Sequence, residues 1–95
     1  MSWGKEPNKL NINSLTSEYL EIIGSGSGGV DIIIIDAGTP GMKYQIIQYD
    51  GYEKKFSTMI EALNFFSHYG YELVNAYGVA AGMMVQSNYV IRKKA

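Results

Sequence analysis

His68 is the only histidine in the chain. A general base or a metal ligand needs a partner within hydrogen-bonding or coordination range. On a helix over 59–69, its neighbours on the same face are Glu61 and Asn64. That makes half of a site at most, and a solvated histidine on a polar face is the plainer reading. Asp31, Asp36 and Asp50 fall at strand ends or turns, where aspartate ordinarily bonds to nearby backbone. No spacing joins them into a metal loop or a carboxylate pair. The serines lack a nucleophile-elbow context. There is no cysteine, which removes disulfides, thiolate catalysis and thiolate metal sites. No catalytic, cofactor-binding or metal-ligating residue is assigned, and the chain is expected not to be an enzyme.

Two richer patterns remain. Gly24-Ser25-Gly26-Ser27-Gly28-Gly29 has the composition of a phosphate-cradling loop or of a flexible linker. The phosphate loop needs a strand before it and a helix after it. Here a helix-like segment precedes and the β-branched run Ile32 to Ile35 follows, so the linker reading is favoured. Upstream, Leu15, Leu20, Ile23 and Gly26 match the spacing of the double-glycine leader of exported bacterial peptides, with Ser25 in place of the first glycine and Tyr19 in place of an acid. A processing peptidase would grip an amphipathic helix and cut the extended small-residue segment near Gly26 or Gly29. The competing expectation is an N-terminal helix packed on the domain.

Ninety-five residues allow one domain, with one modest core. The net charge of −1 and pI near 5.7 supply no basic stripe, so nucleic acid is not an expected partner. Eight tyrosines suit strands and cores better than a stacking platform, which also needs a positive groove. The longest apolar run, Ile32 to Ile35, is too short to span a bilayer. The first residues lack the charged and apolar regions of a secretory signal peptide. The expected location is the cytoplasm or, after leader cleavage, outside the cell.

The elements that would position these residues run as follows. Residues 1–13 read as a flexible arm, and Ser14 as the cap of a short helix, Leu15 to Ile23, stopped by Gly24. Residues 1–29 thus form an arm, helix and linker ahead of a folded unit at 30–94. Residues 30–35 read as a strand, 36–41 as a turn and 43–49 as a strand. Asp50-Gly51 suits a type I′ turn, followed by a weakly signalled return arm at 52–56. Thr58 and Glu61 have capping-box spacing for a helix over 59–69. Its apolar stripe is Met59, Ala62, Leu63, Phe66 and Tyr69, and Gly70 ends it. Residues 71–79 and 83–92 pair as the last two strands. Alternation predicts Tyr71, Leu73 and Tyr77 on the helix side and Val74 on the other. Val74, Ala76 and Val90 would leave the second face half-apolar, to be covered by the N-terminal segment or by a second copy.

Four stretches together resemble the small bacterial family of unknown function DUF4177. They are Tyr44-Gln45-Ile46-Ile47, Glu61-Ala62-Leu63-Asn64, Gly70-Tyr71-Glu72-Leu73-Val74 and Asn88-Tyr89-Val90-Ile91-Arg92-Lys93. The resemblance covers residues 43–94, with Tyr71 where the family usually has tryptophan, and it makes Met42 an alternative start. It implies a β-α-β-β fold and carries no catalytic residues. The resulting expectation is an α+β domain with a small, mainly antiparallel sheet and one helix on one face. The N-terminal extension adds a short helix and a strand. Such a domain would work without catalysis, by binding a protein, a ligand or itself as a homo-oligomer. The alternative is an exported precursor.

Overall fold

A computed structural model describes residues 8–27, 32–82 and 84–94. These residues form a small α+β domain with one α-helix and two mostly antiparallel sheets among them. The strands are β1 (Lys9–Asn11), β2 (Tyr19–Ser27), β3 (Ile32–Asp36), β4 (Ile46–Tyr49), β5 (Tyr52–Lys54), β6 (Tyr71–Ala81) and β7 (Met84–Lys93). A 3₁₀ turn, Ile12–Ser14, follows β1, and the helix α1 (Met59–His68) precedes β6.

The larger sheet has the order β3-β2-β7-β6 and is antiparallel throughout. The smaller one has the order β1-β4-β5, with β1 parallel to β4. A bridge between Ile35 and Tyr44 ties the two together, each residue donating its N–H to the other's carbonyl (2.7 and 2.9 Å).

The helix begins as its cap residues dictate. Thr58 Oγ1 accepts the Glu61 N–H at 3.0 Å, and Glu61 reaches back to the Ser57 N–H at 2.7 Å. The first bond fills an amide the first turn leaves open, and the second ties the helix to the residue before its cap. The buried stripe is Met59, Ala62 and Phe66, with Leu63 and Phe65 partly buried beside it. Gly70, at φ +88°, turns the chain into β6, in the left-handed region that glycine enters without steric cost. Asp50 (φ +47°) and Gly51 (φ +82°) make the two-residue turn joining β4 to β5, the mirror-image geometry that matches strand twist.

Cross-strand partners share a face, so the register lays out the core. Leu20, Ile91 and Leu73 form one row under the helix. Ile35, Ile22, Tyr89 and Ala76 form the next; Ile33, Gly24, Ser87 and Gly78 the one after. Leu20, Ile22, Ile33, Ile35 and Ile91 are buried. Phe66 joins Phe56, Phe65 and Tyr71 in an aromatic cluster with ring centroids 5.3 to 6.0 Å apart.

Three expectations are corrected here. Residues 19–27 form a strand between β3 and β7, and the described part of 15–23 contains no helix. Leu20 and Ile22 are buried in the sheet, and burial on a pleat overrides the i, i+3 spacing that looked helical. Gly24 to Ser27 belong to the same strand and are not linker; Gly28, Gly29 and Asp31 lie outside the described residues. Residues 9–11 are therefore a strand of the smaller sheet and 19–27 a strand of the larger one. Third, Tyr77 is not on the helix side. A bulge between Leu73 and Asn75 shifts the register by one, and one extra residue reverses the alternation beyond it. Tyr71 stays buried against the helix, Leu73 sits at the rim (45% exposed), and Asn75 and Tyr77 turn to the outer face.

Candidate functional site: the free edge of the long hairpin

The chemically suggestive residues of the sequence do not converge. His68 is exposed in the last turn of α1, and its ring makes no hydrogen bond or ion pair among the described residues. Among the described residues no three His, Asp or Glu side chains gather as metal ligands would. Asp36 is occupied locally, its Oδ1 accepting the Gly38 N–H at 2.9 Å with Lys43 3.4 Å from Oδ2. A shallow cleft of about 280 Å³ lies at the β4–β5 turn beside Asn11, Asn13, Gln48, Asp50, Tyr52 and Glu53. Lys9 (2.9 Å) and then Gln48 (3.4 Å) hold the Glu53 carboxyl below the usual carboxylate range. Both partners favour its charged form.

The leader positions are placed in a folded strand. Leu20 is buried, Gly26 is covered and Ile23 and Ser25 are half-buried, all in β2; Leu15 lies just before it, partly buried against the core. Of the expected interface, Val90 is half-buried on the outer face, opposite Glu21 and Asn75. Val74 protrudes from the bulge, and Ala76 lies opposite Tyr89 on the helix side. The three do not form one patch, because the bulge separates their directions.

The outer face is held by a polar network. The Glu21 carboxylate accepts from Tyr77 Oη and from Asn88 Nδ2, both at 2.6 Å. Gln86 Nε2 donates to Asn88 Oδ1 at 3.2 Å, and Asn88 is buried. The bond to Glu21 pushes the Tyr77 hydroxyl's pKa upward, because the phenol donates to a carboxylate only while protonated. This network pins the register across β2, β7 and β6.

The structure does bring together an uncovered strand edge. β6 is the last strand of its sheet, and among the described residues no strand pairs with its other side. Residues 73–80 are all exposed, including Val74, Tyr77 and Val79. The backbone bonds show which groups are free. Lys93 donates its N–H to Glu18 on the β2 side, and Lys94 donates to Gly70 on the β6 side. Ladder bonds alternate along an antiparallel strand, so even-numbered residues of β7 bond towards β6. Val90, Asn88 and Gln86 oppose Asn75, Tyr77 and Val79. Those three β6 residues therefore direct their N–H and C=O at β7, and Ala76, Gly78 and Ala80 direct theirs at the open edge. The signal in the sequence is a run without charge from Leu73 to Ile91, between Glu72 and Arg92.

No family model, curated protein or solved structure matches the chain.

Proposed function

We propose that this protein is a binding module without catalytic activity, and that it engages a protein partner by accepting a strand on the free edge of β6. The observation that carries the reading is the edge itself. It is 11 residues long, and no charge or proline guards it between Leu73 and Ala81. Sheet edges that stay single are ordinarily blunted by charge, proline, bulges or brevity. β6 has only the bulge near its start, which leaves Ala76 to Ala80 regular. Main-chain bonds would supply affinity, and the alternating side chains Tyr77 and Val79 would supply selectivity.

The test is a photoreactive side chain at Val79, exposed and on the outer face beside the edge, in protein expressed in bacterial cells. Irradiation should trap a protein adduct there and none from the same group at His68, which is exposed in the last turn of α1. Absence of adduct at Val79, or equal capture at His68, overturns the reading.

A further inference from the structure

Resting on that reading, we infer that the partner strand is β6 of a second copy, paired antiparallel about a twofold axis at Gly78. The result is one continuous eight-stranded sheet.

The argument for a second copy comes from what the edge carries. From Leu73 to Ala81 the edge carries no charge that would favour an oppositely charged strand. The same lack makes it compatible with itself, since antiparallel self-pairing over this stretch opposes no like charges. Pairing must use the free backbone groups of Ala76, Gly78 and Ala80. A twofold axis at Gly78 makes these the hydrogen-bonded positions. Ala76 faces Ala80 of the second copy, and Gly78 faces its own counterpart.

Side chains fit this register. On the outer face Tyr77 lies opposite Val79 of the second copy, and the reverse pair forms across the axis. Aromatic and β-branched residues are favourable cross-strand neighbours. On the helix side only Ala76, Gly78 and Ala80 meet, so no bulky group obstructs the approach. The bulge at Val74 limits the pairing to the strand's distal two-thirds and keeps it clear of α1, which packs near the start of β6. Among the described strands the other edges are closed to this mode. β3 is five residues long and bridged to Tyr44, β1 is three residues long and carries Lys9, and β5 is three residues long and carries Glu53 and Lys54.

Light scattering on the purified full chain should give twice the 10.5 kDa chain mass. Val79→Lys, which sets a charge beside Tyr77 of the second copy, and Ala80→Pro, which removes an N–H aimed away from β7, should each restore the single-chain mass. Val79→Lys changes only an exposed side chain, so it remains decisive if the proline variant fails to fold. Register is tested with thiols, which the native sequence does not contain. Oxidising a mixture of Tyr77→Cys and Val79→Cys chains should yield the mixed disulfide dimer, and either variant alone should not. In the proposed register the mixed pair lies directly opposite, and like positions are offset by two residues, beyond disulfide reach. A wild-type monomer, or a dimer that survives Val79→Lys, overturns the inference. So does cross-linking in either variant alone. An adduct at Val79 whose mass is not that of a second copy overturns the self-pairing and leaves the strand-acceptor reading standing; no adduct at all overturns both.

Discussion

Phe66 has no exposed surface and meets Phe56, Phe65 and Tyr71 by ring contacts. Phe66→Ala empties that site and should cost ~3–5 kcal/mol in urea denaturation. Leu63 lies beside the core and is only partly buried. Leu63→Ala should therefore cost less than the ~2 kcal/mol at which fully buried leucines begin, and His68→Ala less than ~0.5 kcal/mol. A His68→Ala loss equal to that of Phe66→Ala would mean the helix is rotated. Glu61 carries a pH dependence of its own. The Lys54 ammonium (2.8 Å) and then the Ser57 N–H hold its carboxyl below the usual range. A carboxyl depressed in the folded state contributes stability above its unfolded pKa, and that contribution fades as pH falls through the folded value. Glu61→Gln should therefore lower the urea midpoint at neutral pH and make little difference once the solution is acid enough to protonate both states. An equal difference at both pH values would show that the carboxylate's charge is not what matters.

At the scale of elements, what the sequence made legible was local. Thr58, Glu61 and Gly70 mark both ends of α1, and Asp50-Gly51 marks a tight turn, because each acts through backbone bonds or φ within a few residues. Thr58→Ala should cost ~1 kcal/mol, read as a shift in thermal midpoint at constant unfolding enthalpy per residue. A neutral result would mean that the Ser57–Glu61 half of the box suffices. β2 was not legible because its evidence is non-local. Leu20, Ile22, Gly24 and Gly26 alternate inward as a strand requires, yet Gly-Ser-Gly-Ser has poor intrinsic strand preference, and Tyr19, Ile22 and Ile23 also fit a helical stripe. Only the facing strands β3 and β7 decide between them. The bulge after Leu73 left no mark at all, since Val74 and Asn75 read as ordinary strand residues. It moved Tyr77 from the expected core position to the Glu21 carboxylate and so reassigned the outer face. The charge-free run over the β6–β7 hairpin is visible in the sequence, but its meaning depends on β6 being terminal in the sheet, which no local pattern encodes.

At the scale of the whole molecule, the N-terminal third bears on whether residues 43–94 stand alone. The resemblance treats them as a unit with a start at Met42. In the structure, β1, β2 and β3 supply Leu10, Leu20, Ile22, Ile33 and Ile35 to the buried set, and the 3₁₀ turn adds Ile12. Burying each such side chain contributes ~1.5–3 kcal/mol, so six of them are worth on the order of 9–18 kcal/mol, as large as the ~5–15 kcal/mol by which domains are stable at all. Their removal also strips β7 of its β2 partner along nine residue pairs and opens a second long edge. A chain beginning at Met42 should therefore fail to fold by itself. Far-UV circular dichroism should show no cooperative melt, and amide resonances should collapse into the unfolded range. A chain beginning at Ser27, the product of a cut after Gly26, loses Leu10, Ile12, Leu20 and Ile22 and should fail in the same way. A leader function for these residues thus requires cleavage before folding, or it releases an unfolded product. If the Met42 chain instead melts cooperatively with dispersed resonances, β1–β3 are an accessory to a self-sufficient helix and hairpin. The burial of the six N-terminal residues would then describe a docked segment and not the core.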